Sequence, residues 1–143
     1  MFILDTEVKI KAEPSAICKM ITEETQNGDW NPLVKKLKGE LALGNRMEVV
    51  IEPPEQKPMT FKPVITKYDE NRELRWIGQL PIPDLFRGEH IFRIEDQGNG
   101  TCMLYHSEHF RGLLLPLLKK NLDTHTRAGF EQMNQKMKEI LEK

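Results

Sequence analysis

Three side chains in the second half of the chain have the types and spacing to do chemistry: His90, His106 and Glu108. His106-Ser107-Glu108 puts an imidazole and a carboxyl on one side of an extended strand, because strand side chains alternate with a period of two. His90 joins them if the preceding strand runs antiparallel, with the turn Gln97-Gly98-Asn99-Gly100 setting the register. With Ile94 opposite Leu104, Phe92 faces His106 and His90 faces Glu108; a slip of two residues puts His90 opposite His106 instead. In either register the three cluster among aromatics, since opposed side chains on one face lie about 5 Å apart. Such a cluster has four uses. It can be a self-satisfied polar pair that fixes register, since a buried carboxylate is costly unless paired. It can anchor the polar group of a ligand on the floor of an apolar cavity. It can supply a general acid or base, or form a two-His, one-carboxylate metal set.

No metal and no cofactor are expected. The sequence has no nucleophile motif and no Gly-rich phosphate loop. Cys18 and Cys102 lie far apart and form no C-x-x-C pair, so they read as free, buried thiols.

The elements that must hold these groups follow from periodicity. Residues 2–11 alternate as a strand. Glu13-Pro14-Ser15 starts a short helix over about 14–22, with Ile17, Met20 and Ile21 on one side. A second helical turn or loop then ends at Trp30-Asn31-Pro32. Strands are expected over about 34–41, 46–52, 58–68, 73–80, 87–96 and 101–110, separated by turn residues. Pro81-Ile82-Pro83-Asp84 cannot continue a central strand and reads as a bend or wide loop. From Pro116 on, Leu118, Leu122, Gly129, Met133, Met137 and Ile140 recur at helical steps, joined by Phe130 and Leu141, so a long amphipathic helix covers about 115–142.

Alternation also assigns faces. Met47, Val49 and Ile51 point inward, as do Leu74, Trp76, Gly78 and Leu80, then Gly88, His90, Phe92 and Ile94, then Leu104, His106, Glu108 and Phe110; the alternates are mostly charged. Gly78 and Gly88, inside strands, mark bends or close approaches. One sheet with helices on one side is an α+β arrangement.

Composition narrows the function classes. The chain has 143 residues, 38% hydrophobic and 30% charged, with 21 basic and 22 acidic side chains for a net charge of -1. A balanced charge argues against a nucleic-acid binder. No apolar run approaches the roughly 20 residues of a membrane helix, and the start Met1-Phe2-Ile3-Leu4-Asp5 lacks signal-peptide features. A cytoplasmic protein without stable membrane insertion is expected, as a monomer or weak dimer.

These features together resemble the START-like or SRPBCC superfamily, the helix-grip proteins that include the birch-pollen-allergen type and the polyketide cyclase/dehydrase and lipid-transport group. The resemblance runs over essentially the whole chain. It rests on the β-α-α-β6-α order and on short motifs in sequence: Trp30-Asn31-Pro32, Leu74-Arg75-Trp76-Ile77-Gly78, Gly88-Glu89-His90-Ile91-Phe92 and Gly100-Thr101. The run from His106 to Leu114 and the closing Phe130-Glu131-Gln132-Met133-Asn134 complete it. It implies a single domain over 1–143, a seven-stranded, strongly curved antiparallel sheet gripping the C-terminal helix, and a cavity between them for an apolar or amphipathic ligand. Carried onto this chain, the lining would come from Trp30, Met47, Val49, Phe61 and Trp76, then Phe86, His90, Phe92, His106, Glu108 and Phe110 on the sheet side. The long helix would add Leu118, Leu122, Phe130 and Met133, with His125 at its boundary.

Three functions fit. The first is a carrier or sensor of a small hydrophobic ligand, lipid-like or aromatic. The second is a cyclase or dehydratase using His90, His106 or Glu108 as acid or base. The third is a protein-interaction module, which a concave face filled entirely by side chains would favour. The apolar stretch Leu80-Pro81-Ile82-Pro83-Asp84-Leu85-Phe86 is expected to border the cavity entrance.

Overall fold

The computed structural model describes residues 1–80 and 84–143. The bend at Pro81-Ile82-Pro83, and that part of the expected entrance, lies outside the described residues. Strand β1 (Phe2–Ile10) leads into two short helices, α1 (Pro14–Ile21) and α2 (Glu23–Asn27). Pro14 occupies the first turn of α1, where its missing N–H costs nothing, and Ile17, Met20 and Ile21 are buried as their spacing predicts.

The described residues hold eight strands where seven were expected: after β1 come β2 (Val34–Lys38), β3 (Glu48–Ile51), β4 (Met59–Phe61), β5 (Val64–Asp69), β6 (Glu73–Gln79), β7 (Arg87–Gly98) and β8 (Thr101–Arg111). The difference lies at Pro63, which has no N–H to give a ladder and splits the strand expected over 58–68 into β4 and β5. The strands pair antiparallel in two sheets, ordered β1-β8-β7-β6-β5 and β2-β3-β4. Backbone bonds from Met47 N to Pro63 O (2.8 Å) and Ile65 N to Asn45 O (2.9 Å) join them. The β7–β8 hairpin turns on Asn99 and Gly100, both left-handed at φ 56° and 74°, between the paired Gly98 and Thr101. That is the two-residue geometry whose twist suits a hairpin.

The C-terminal helix is α3 (Leu115–Asn121), a π-helical turn (Leu122–Thr126) and α4 (Arg127–Leu141). Phe130, Met133 and Met137 are buried against Leu4, Leu104, Val49 and Ile65 in one core between helix and sheets. The wider π turn takes α3 out of phase with α4: Leu118 and Leu122 are only half-buried. Ile140, expected in the stripe, faces outward, and Leu141 packs on the core in its place. On the outer sheet face, charges pair along and across strands: Lys67 and Arg75 with Glu73, Arg75 with Glu89, Arg93 with Glu95. Ile91 and Ser107 are exceptions on that face, both buried. Cys18 and Cys102 are free and buried. Among the described residues no helix is long and apolar enough to cross a membrane.

Candidate functional site

The hairpin adopts the first of the two registers: His90 lies opposite Glu108, Phe92 opposite His106 and Ile94 opposite Leu104. The side chains nevertheless lean diagonally, so the contacts of both registers form together. His90 Nε2 is 2.7 Å from His106 Nε2, and His90 Nδ1 is 3.5 Å from Glu108 Oε1. Two nitrogens bound to one zinc-like ion at about 2.0–2.1 Å each would stand farther apart than this, so the imidazole pair is a hydrogen bond rather than half of a metal set.

Two residues that sequence reasoning left out of the site continue the chain of bonds. His106 Nδ1 is 2.8 Å from Asn134 Oδ1, Asn134 Nδ2 donates to Thr6 Oγ1 at 2.9 Å, and Thr6 Oγ1 donates to the His106 carbonyl at 2.6 Å. Thr6 is placed by β1, where it stands opposite His106, and Asn134 by α4. A faint signal existed for both. Thr6 shares its strand face with Leu4 and Val8, and Asn134 follows Phe130 by one helical turn, so each is a polar residue on a buried face.

The direction of every bond follows. The Thr6 hydroxyl has one proton, spent on the His106 carbonyl, so its oxygen accepts from the Asn134 amide nitrogen. That turns the Asn134 oxygen to His106, whose Nδ1 must carry the proton. The neutral His106 then has a bare Nε2, and His90 donates its Nε2 proton to it. His90 Nδ1 is left as a lone pair facing Glu108.

The surroundings keep the imidazoles neutral. The ring of Phe130 stacks on His106 at 4.0 Å between centroids, and Phe92 stacks on both histidines. Trp76 lies 5.0 Å from His90. His106 is fully buried and His90 is 3% exposed. Burial lowers the His106 pKa to about 3 even against the Asn134 bond, and burial together with His106 holds His90 well below its ordinary value. Burial drives Glu108 the other way, up to about 8. Its side chain keeps 17% exposure, so the bond chain stops at His90 in a dry centre and Glu108 stands beside it at the partly exposed end.

At that end Glu108 lies across Gly88. A Cβ there would meet Glu108 Oε2 and come 3.1 Å from the Phe110 ring, so with any other residue the carboxyl would have to swing away. Opposite it, Gly78 has only ordinary contacts, 3.9 Å to Phe61 and Pro63. Phe110 stacks between Phe86 at 5.7 Å and Phe2 at 6.1 Å.

The other residues of the expected lining are placed as follows. Trp76, Phe92 and Phe130 gather around the histidines, and Phe110 and Met133 are buried in the same core. Met47 and Val49 are buried on the smaller sheet, Val49 opposite the half-buried Phe61. Trp30 packs on the core from the loop after α2, its indole Nε1 buried without a partner. Leu118 and Leu122 lie half-buried on α3 and the π turn. His125 turns to Glu55, with Nδ1 3.8 Å from Oε2. The rings of Trp76, Phe92 and Phe130 pack directly against the two histidines. A recess beside α1, lined by Cys18, Ile21, Tyr68, Leu74 and Phe92, holds only about 10 Å³.

No protein-family model matches the chain, and no curated protein matches it. Solved structures do. A Mycobacterium smegmatis protein, Ms6760, superposes with a TM-score of 0.77 at 15% identity, over 97% of this chain and 90% of its own. Norcoclaurine synthase from Thalictrum flavum, solved with dopamine and hydroxybenzaldehyde, gives 0.67 at 13% identity, over 99% and 87%. Ara h 8.0201 gives 0.64 at 12% identity, over 95% and 97%. At these identities the likeness is one of fold. An antiparallel sheet, two short helices after its first strand and a long C-terminal helix packed on its inner face give this chain the helix-grip fold.

Proposed function

We propose that the protein binds a small apolar or amphipathic molecule at the wet end of the core between sheet and helix, with Glu108 meeting the molecule's polar group. One observation carries this reading. Glu108 is a mostly buried carboxyl with His90 Nδ1 3.5 Å away and no side-chain hydrogen bond among the described residues, and its second oxygen lies over a glycine beside aromatic rings. Ligand sites are apolar with a few placed polar groups, and this end has that composition. The solved norcoclaurine synthase, with two small aromatic molecules bound on this fold, agrees with it. Rings packed against the two histidines also suit an interaction module, and in the binding reading they put the ligand to one side of them. The apolar body would lie towards the half-buried Phe86, Leu118 and Leu122 rather than beside His90 and His106. Native mass spectrometry of protein purified from its own host tests the proposal. A co-purifying small molecule that is lost in Glu108→Leu supports it; a molecule retained by that variant refutes the role of Glu108.

A second reading adds proton transfer to the same bound molecule. It is favoured by the Glu108 proton, which is held to about pH 8 and so is available to a general acid at neutral pH. Conversion of the bound molecule by the parent protein, absent in Glu108→Gln with binding kept, would assign chemistry; release of the molecule unchanged would assign carriage.

A further inference from the structure

The outer face of the larger sheet pairs cations with carboxylates, but not at one end. There Arg87 of β7 and Arg111 of β8 stand directly opposite each other, at the open end of the hairpin. The geometry points to a binding site for a phosphoryl group at this place: a phosphate monoester held between the two guanidinium groups, on the face of the sheet that turns away from Glu108 and the C-terminal helix. The proposal is independent of the ligand-binding reading above.

Like charges directly opposed across an antiparallel pair cost stability. Elsewhere on this face the cations are satisfied. Lys67 and Arg75 meet Glu73, Arg75 reaches Glu89, and Arg93 both meets Glu95 and lies over the Tyr105 ring at 4.2 Å. Among the described residues no carboxylate pairs with Arg87 or Arg111, and Pro81-Ile82-Pro83, outside that set, has no acidic side chain to offer. Glu89, two residues along β7, is held from the far side: Thr66 donates to its Oε2 at 2.8 Å, and Arg75 lies 3.6 Å from Oε1. Those two partners stand on β5 and β6, on the side of β7 away from β8. Arg87, Arg111, His109, Glu89 and Ile77 together line a groove of about 230 Å³, several times the roughly 30 Å³ that one water takes up.

The lining chooses the anion. A guanidinium is always charged and presents its N–H groups as a planar fork, which takes phosphate oxygens two at a time. Two forks at one place carry two positive charges. A phosphate monoester brings a charge of about −1.5 to −2 at neutral pH and three terminal oxygens, so it serves both forks and cancels both charges. A carboxylate or a sulfonate brings one charge and leaves the pair half neutralised. His109, opposite Glu89, lines the same groove and has an N–H to offer in either tautomer. Ile77 gives the groove an apolar surface for the carbon substituent of the ester.

Titration of the ¹⁵N-labelled full chain with phenyl phosphate at pH 7.5 and constant ionic strength tests the site, with benzoate and benzenesulfonate as matched monoanions. Phenyl phosphate is expected to shift the Arg87 and Arg111 Nε–H signals saturably and to bind tenfold or more tighter than either monoanion. Arg87→Gln and Arg111→Gln are each expected to weaken it tenfold or more. Lys38→Gln, which removes one exposed charge from β2 on the other sheet, is expected to leave it within twofold. Without an anion, Arg111→Gln should melt no lower than the parent, because it relieves the opposed charges. Added phenyl phosphate should raise the melting temperature of the parent and not of that variant. Flotation with phosphatidylcholine vesicles carrying phosphatidic acid separates two sources of the group. Capture that is lost in Arg111→Gln assigns it to a lipid headgroup; phenyl phosphate binding without capture assigns it to a soluble ester. Benzoate or benzenesulfonate binding as tightly as phenyl phosphate overturns the phosphoryl assignment. Shifts that do not saturate, or that persist in both arginine variants, overturn the site. An Arg111→Gln variant that melts lower than the parent overturns it too, because Arg111 is then satisfied within the fold.

Discussion

Replacing Glu108 with glutamine keeps the side chain's size and its place beside His90 but removes its ionisation. The folded protein holds the Glu108 proton to about pH 8, whereas the unfolded chain releases it near 4.5. A carboxyl whose pKa rises on folding costs stability as pH climbs, because the folded state must ionise a buried group or keep a proton that the unfolded chain has given up. The cost is absent below about pH 4.5, grows through neutrality and levels off above about pH 8. At about 1.4 kcal/mol per pH unit it reaches about 3 kcal/mol at pH 7. The 17% of the side chain that meets solvent trims this to about 2–3 kcal/mol. Urea denaturation of both proteins at pH 4.5, 6, 7 and 8.5 reads the difference directly, since all other groups titrate alike. Glu108→Gln should match the parent at pH 4.5 and exceed it by about 2–3 kcal/mol at pH 7. A stability difference that does not change with pH would refute the reasoning, for then the Glu108 carboxyl is no more costly to ionise folded than unfolded.

His106 works in the opposite direction. Its pKa falls from 6.5 to about 3 on folding, so stability is lost as acid protonates the unfolded chain, by about 2 kcal/mol at pH 5; an acid limb that is unchanged in a His106→Gln variant would contradict this. Asn134→Ala leaves the His106 Nδ1 proton and the Thr6 oxygen without their partner and should cost about 1–3 kcal/mol in denaturant midpoint analysis, while Asn134→Asp, which still accepts from His106, should recover part of it. Gly88→Ala puts a methyl where Glu108 Oε2 and Phe110 lie; a thermal melt should show a loss of about 1–3 kcal/mol, and an unchanged melting temperature would mean that the carboxyl does not rest on that glycine. Phe130→Ala removes the ring stacked on both histidines and should cost about 3–5 kcal/mol by urea denaturation.

The strands and the face of each side chain were legible because one face is apolar and the other charged, so a slip of one residue would expose Phe92, Leu104 and Phe110 together; a slip of two keeps the faces, and periodicity left that choice open. Pro14 and the helical stripe through Phe130, Met133 and Met137 were legible for the same kind of reason, a period that matches burial. The convergence of His90, His106 and Glu108 could be foreseen, but their pairing could not. It depends on a diagonal lean of side chains that strand spacing does not encode. Thr6 and Asn134 escaped because their partners are 100 and 28 residues away from them in sequence, and a single threonine or asparagine among apolar neighbours has many uses. The phase of α3 was hidden too. A 3.6-residue period assumes an unbroken α-helix, and nothing in Leu122-Asp123-Thr124-His125-Thr126 announces the wider turn.

That wider turn makes the chain tolerant of a change that would ruin most helices. A π turn holds one residue more than the α-helical turn it replaces. Deleting a single residue between Asp123 and His125 would therefore leave a continuous α-helix, not a broken one. Everything before the deletion would swing by about 100° and advance about 1.5 Å relative to α4. Leu115, now buried, would leave its place on the core, while Phe130, Met133 and Asn134 stayed where they are. The segment is in effect a one-residue adjustment that sets the orientation of α3 independently of the core. Lengthening or shortening it alters how the near half of the helix covers the sheet without disturbing the histidine chain behind it.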